Sequence, residues 1–272
     1  MKQHDHDDFG GLERDLAALA RFRPNRRSVL GWLAGASVIP ILGCGERELA
    51  SIDGGAGDSG GNTNTCSEIP TETGGPYPGD GSNGPNILTQ SGIVRSDIRS
   101  SIGTASGTAT GIPLTLTLSI VDSACVGLAG FAVYVWHCDQ SGNYSMYTGS
   151  AASENYLRGV QETNASGNVT FTSIFPACYS GRWPHIHFEI YPSLAAATGP
   201  ANAVKTSQLA MPEATARAVY ASSGYEASVN NLAMVSLASD NVFSDGSSLQ
   251  IPSITGDVTN GIAATLRVGI AI

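Results

Sequence analysis

From Leu114 to Val121 the chain reads Leu-Thr-Leu-Thr-Leu-Ser-Ile-Val, with apolar and polar residues in near-strict alternation. A period of two is that of a strand with one buried face. Phe131 to Trp136 is a β-branched and aromatic run, and the pattern predicts that it pairs with the first strand across a turn at Ser123 to Gly130. Further strands are predicted at Asn168 to Ile174, His185 to Tyr191, near Leu232 to Leu237 and at Ala263 to Ile270, each bounded by Gly, Pro, Asn or Ser. Glu213 to Ser222 is the one strong helical segment, rich in Ala and preceded by Pro212. Many short strands and little helix predict an all-β fold, an antiparallel β-sandwich whose long loops carry the functional groups. There is no internal repeat and no sign of a second domain.

Composition strengthens this picture. Thirty-three glycines and only 14% charged residues suit short strands joined by tight turns. The net charge is −9, and after residue 50 the basic residues are only Arg95, Arg99, Arg158, Arg182, Lys205, Arg217 and Arg267. Such a surface does not follow a phosphate backbone, which excludes nucleic acid as a partner.

The first 44 residues read as an address. Asn25-Arg26-Arg27-Ser28-Val29-Leu30 precedes an apolar stretch from Gly31 to Gly43 that is short for a bilayer span, the pattern of a twin-arginine export signal. The stretch ends in Ile41-Leu42-Gly43-Cys44, which resembles a bacterial lipobox, so that Cys44 would carry lipid and anchor an exported protein at the periplasmic or cell-surface side of a membrane. Cleavage nearby without lipidation is the alternative. Residues 45–65 are Gly, Ser, Asp and Asn with little to bury, the composition of a flexible tether, and 66–272 form the globular domain. Cys66, Cys125, Cys138 and Cys178 remain after Cys44, an even number in a compartment that permits disulfides. Three pairings are possible; a hairpin turning near Gly127 would hold Cys125 and Cys138 far apart, which favours Cys66 with Cys125 and Cys138 with Cys178.

Histidine is scarce after Cys44: His137, His185 and His187 only. In His185-Ile186-His187-Phe188-Glu189-Ile190 the two imidazoles fall on one face of a strand, while Ile186, Phe188 and Ile190 enter the other. Two side-by-side imidazoles can grip one metal ion, although a His-x-His strand by itself is a weak signal. Its surroundings add to it. The loop Phe175-Pro176-Ala177-Cys178-Tyr179-Ser180-Gly181-Arg182-Trp183-Pro184 brings a phenol and a guanidinium directly to the pair, and Trp136-His137-Cys138-Asp139-Gln140-Ser141-Gly142-Asn143-Tyr144 lies upstream.

In these motifs, together with Tyr156-Leu157-Arg158-Gly159-Val160-Gln161 and Gly167 through Phe171, the chain resembles the intradiol ring-cleavage dioxygenases, and especially their exported single-domain members, from about Cys66 to Pro212. That resemblance implies one Fe(III) per chain, with Tyr144, Tyr179, His185 and His187 as metal ligands. Hard phenolates favour the ferric state, so the metal would activate the substrate rather than dioxygen. It further implies cleavage by O2 of the bond between the two hydroxylated carbons of a catechol-type aromatic, giving a muconate-type diacid. Arg182 matches an arginine that stabilises charge developing on the ring, Tyr179 a phenolate that takes up a substrate proton, Gln208 a glutamine lying over substrate and iron, and Tyr77 an aromatic at the pocket mouth. His137 matches no ligand of the family and is expected to play a supporting role. The chain departs from the family at Ala177-Cys178 and at Trp183, and has Gly74 where exported relatives tend to carry Glu. Two other readings stand beside this one: a cell-surface β-sandwich that binds a ligand without ring cleavage, and the same site filled by zinc or copper.

Overall fold

The computed structural model describes residues 65–272. The export signal, Cys44 and nearly all of the tether lie outside the described residues.

Eight strands form two four-stranded sheets. The first sheet has the order β4-β1-β8-β7, with β1 Pro113–Val121, β4 Asn168–Ile174, β7 Ser253–Asp257 and β8 Gly261–Gly269. The second has the order β3-β2-β5-β6, with β2 Ala132–Trp136, β3 Arg158–Glu162, β5 His185–Tyr191 and β6 Lys205–Ala210. Two short helices follow β6: α1 Glu213–Tyr220, as the sequence predicts, and α2 Glu226–Ala233.

The alternation in β1 sorts its residues as expected. Leu114, Leu116, Leu118 and Ile120 face inward and meet Ile262, Ala264, Leu266 and Val268 of β8, Val169 and Phe171 of β4, and the inner face of the second sheet, Val133, Val135, Ile186, Phe188, Ile190 and Leu209. Burying each Leu, Ile or Phe of this layer contributes roughly 1.5–3 kcal/mol.

Four expectations are corrected. β1 and β2 do not pair: each belongs to a different sheet, and the residues between them cross the sandwich. Alternation names the buried face of a strand but not its neighbour. The sandwich is not purely antiparallel, because β1 and β8 run parallel with Leu116 opposite Ala264. Leu232 to Leu237 is not a strand; Leu232 closes α2 and packs into the core, and the chain then turns. Cys66 and Cys125 form a disulfide, as one expected pairing has it, but Cys138 and Cys178 are both free and buried. They face different apolar clusters, Cys138 the one under the loops and Cys178 the inter-sheet core. Their thiols approach different carbonyls, those of Ala177 and Arg182 respectively.

The second sheet is covered on both faces. Its outer face, carrying Tyr134, Trp136, Val160 and Tyr191, lies under loop residues Ile87, Leu88, Ile93, Tyr144 and Ala177. β5 is consequently buried at all seven positions. The segment after Cys66 straps the two sheets together: the Ile69 amide donates to the Gly269 carbonyl of the first sheet and the Glu72 amide to Thr206 of the second. The disulfide fastens the start of this strap. For a sequence separation of 59 residues, chain-entropy arguments give a stabilisation of about 4 kcal/mol. A Cys66→Ser/Cys125→Ser variant should lose that amount in denaturant unfolding, and reducing agent should weaken the wild type while leaving the variant unaffected.

Candidate metal centre

Register across the second sheet builds the site. Arg158 of β3 stands opposite Trp136 of β2, Trp136 opposite His187 of β5, and His187 opposite Gln208 of β6. A single row of the outer face thus carries a guanidinium, an indole, an imidazole and an amide. Trp136 lies flat on His187, with ring centroids 4.9 Å apart and planes 6° from parallel, and fixes the plane of the imidazole.

The two phenols come from the loops above. Tyr144 follows a turn held by Asp139, whose carboxylate accepts from the amides of Ser141 and Asn143. Met146, two residues on, has φ 71°, a left-handed conformation that costs of order 1–3 kcal/mol at a non-glycine residue and is typical of turns that aim a functional group. Gly142 (φ 87°) lets this turn approach the second loop, since a Cβ there would stand 3.2 Å from the Cβ of Tyr179.

Four donor atoms converge. The Nε2 atoms of His185 and His187 are 3.1 Å apart. The Tyr144 hydroxyl is 3.2 Å from the first and 3.4 Å from the second. The Tyr179 hydroxyl is 3.3 Å from Nε2 of His185. Donors about 2 Å from a shared first-row metal ion sit about 2.8–3.3 Å apart at octahedral to tetrahedral angles. The four expected ligands are therefore brought together at the spacing that one ion requires.

Protonation fits as well. Nδ1 of His185 lies 2.5 Å from the Trp183 carbonyl, which can only accept, so the proton sits on Nδ1 and Nε2 presents a lone pair to the cluster. His187 has no partner at Nδ1, so its contacts also lie at Nε2. Burial, then the Arg182 charge, pushes the His185 pKa far below the usual imidazole value; burial, then His185, does the same for His187. Both rings are neutral, the form that binds metal. Burial, then Tyr179, raises the Tyr144 phenol, a preference that a bound cation would reverse. Among the described residues no group of three or more His, Cys, Asp or Glu side chains is placed to hold an ion. The donors that converge here include two tyrosines.

Arg182 is fully buried between Asp240, whose Oδ2 is 3.0 Å from Nε, and Gln208, whose Oε1 accepts from Nη2 at 2.7 Å. The Gln208 amide donates in turn to the Thr73 carbonyl at 2.9 Å, so Gln208 ties the arginine to the strap. Tyr77 packs its ring 4.9 Å from that of Tyr144. His137 lies between the Cys138 carbonyl and the Ser173 hydroxyl, with its pKa pushed down to about 4 by burial. It holds the two sheets together and contacts none of the four donors. Tyr147, the nearest rival phenol in sequence, accepts from the Gly79 amide at 2.9 Å and is thereby committed.

Asp240 belongs to no motif in the sequence. It lies 58 residues beyond Arg182 and also accepts from the Trp183 amide, so one carboxylate sets both the guanidinium and the start of β5. Trp136 and Arg158 stand in motifs quoted from the sequence, but nothing in those motifs marks the one as the stacking partner of His187 or the other as the end of the row.

A dioxygenase family model matches residues 83–194, a span that includes Tyr144, Tyr179, Arg182, His185 and His187. The intradiol ring-cleavage dioxygenase from Tetranychus urticae has the same fold with TM-score 0.60 and 27% identity over 76% of this chain and 95% of its own. The chain is thus similar to the intradiol ring-cleavage dioxygenases in sequence and in fold. A second solved dioxygenase matches this chain at 27% identity and TM-score 0.59, again over 76% of it and 95% of the other. No curated protein matches it.

Two of the buried charges can be tested directly. Asp240→Asn removes the buried carboxylate that pairs with Arg182 and should destabilise the fold by about 3–5 kcal/mol, read by thermal or denaturant unfolding. Glu72 has its pKa raised to about 7, chiefly by burial. Its neutral form is favoured in the folded state, so its contribution is most stabilising below the unfolded-state value and is lost as pH rises through about 7. Glu72→Gln should flatten the fall in stability across that window.

Proposed function

We propose that this chain binds one ferric ion through Tyr144, Tyr179, His185 and His187 and opens catechol-type rings between the two hydroxylated carbons, giving a muconate-type diacid. The observation that carries the reading is the meeting of two phenol oxygens and two imidazole lone pairs within 3.1–3.4 Å on a buried sheet face. Such a ferric centre, when bound, supplies an electron acceptor that gives the ring of a bound catecholate radical character toward dioxygen.

The residues of the chain divide the remaining work. Tyr144 is fully buried and Tyr179 half-exposed. Tyr179 is thus the phenol that can move and take up a proton at its oxygen as the substrate loses one. Arg182 cannot lose its charge, and Asp240 and Gln208 hold it still. Its guanidinium is a fixed positive charge for electron density building on the ring, preorganisation of the kind that accounts for about 3–4 kcal/mol per donor in other enzymes. Tyr77, packed against Tyr144, forms an aromatic wall for the substrate ring. The Cys66–Cys125 disulfide supports placing the enzyme outside the cytoplasm, in line with the signal read from its first 44 residues.

Iron-loaded protein should be burgundy, with a broad visible band that shifts when catechol is added under anaerobic conditions. Tyr144→Phe and His185→Ala should each lose bound iron and turnover while keeping the far-ultraviolet spectrum of a β-protein. Protein that stays colourless after reconstitution with iron, or variants with full iron and full activity, would overturn the assignment.

A further inference from the structure

Arg158 lies on the same row as His187 and Gln208 but two strands away from His187, beyond Trp136. It is 1% exposed, and all five of its N–H donors are used. Nε donates to the Ser145 hydroxyl at 2.9 Å. Nη1 donates to the Pro78 carbonyl at 2.8 Å and to the Tyr134 hydroxyl at 3.1 Å. Nη2 donates to the Tyr77 carbonyl at 2.9 Å and to the Ser145 carbonyl at 2.8 Å. Every acceptor is a neutral oxygen, and three of the five bonds go to main-chain carbonyls. A buried cation solvated by backbone rather than by a carboxylate is costly, and its hydrogen-bond geometry is correspondingly strict.

Four of the five acceptors belong to two segments that are distant in sequence and adjacent to the candidate ligands, and the fifth is Tyr134 of β2. Ser145 follows Tyr144 directly, while Tyr77 and Pro78 form the wall packed on the Tyr144 ring. The local backbone is shaped to admit the fork. Leu157, just before Arg158, has φ 58°, and at Gly79 (φ 67°) a Cβ would come within 2.8 Å of Nη1. The guanidinium also lies 5.5 Å from the centre of the Tyr147 ring, the next aromatic of the same loop.

We infer that Arg158 is a positioning residue: one planar fork locks the Tyr77–Pro78 wall to the Tyr144–Ser145 loop and so sets the distance between that wall and the Tyr144 phenol. Neither an ammonium nor an amide can replace it, because three donors on a point or a single NH2 cannot reach oxygens disposed around a plane. The role of Tyr144 in this inference rests on the reading given under Proposed function; the coupling of the two segments does not.

The test uses the full-length mature protein, with Arg158→Lys as the charge-preserving variant. Amide hydrogen exchange in the metal-free protein should quicken together at residues 75–79 and 144–148 and stay unchanged across residues 185–191. In iron-loaded protein the visible band should shift, and kcat/KM for catechol should fall about 10²-fold, the cost expected of a misplacement near 1 Å. Unchanged exchange in either segment, or an equal rise across 185–191, would overturn the inference, the latter because it marks a merely structural loss. If Arg158→Lys does not fold, Ser145→Ala decides: it removes one acceptor of the fork, and faster exchange at residues 75–79 is expected because Ser145 reaches Tyr77 and Pro78 through Arg158. No change there overturns the inference. Absence of a visible band in iron-loaded wild type would refute the ferric reading and leave the exchange measurement to judge Arg158.

Discussion

The close approach of four donor atoms on one buried sheet face is the constraint around which the second sheet and its loops are organised. Neutral groups do not satisfy it well among themselves. The His185 lone pair at Nε2 is offered two hydroxyls and the His187 ring at once, and His187 leaves its other nitrogen without a partner. A cation at the centre of the four would satisfy all of them. Holding such a cluster together requires that each side chain be fixed from behind: Trp183 and its carbonyl for His185, Trp136 for His187, the Asp139 turn for Tyr144.

That fixing explains why the outer face of the second sheet is not solvated, as one face of an antiparallel sheet commonly is. The loops at residues 77–103 and 138–157 cover it with their own apolar cluster. Burial then makes every charge beneath them consequential. Arg182 is answered by Asp240 and Gln208, and Arg158 by five neutral oxygens. The carboxyl of Glu189, on the same face, has its pKa raised to about 7, chiefly by burial. The row Arg158, Trp136, His187, Gln208 shows how a sheet turns register into function: four strands distant in sequence deliver their side chains at one level.

Much of this was legible in the chain. The alternation at Leu114 to Val121 and the His185-Ile186-His187-Phe188 pattern state which side chains go inward, and the structure agrees. The convergence of Tyr144 and Tyr179 on the two histidines could be expected only through family resemblance, because nothing local distinguishes them from Tyr147 or Tyr156. Partner choice was not legible. Phe131 to Trp136 looks like the return strand of a hairpin, yet it pairs with β3 and β5, since a strand buried on both faces carries no alternation to reveal its neighbours. β7 was invisible for the opposite reason: Ser253–Asp257 is polar and mostly exposed and exists as a strand by pairing with β8. The contact of Asp240 with Arg182 spans 58 residues and has no sequence signature.

The central claim is chemical, that this constellation opens a catechol between its two hydroxylated carbons with dioxygen. Incubating iron-loaded protein with a panel of catechols under isotopically labelled oxygen gas and weighing the products tests it most directly. The account predicts a ring-opened muconate-type diacid carrying oxygen from the gas, formed by wild type and not by His185→Ala. Recovery of every catechol intact, or cleavage outside the pair of hydroxylated carbons, would contradict it.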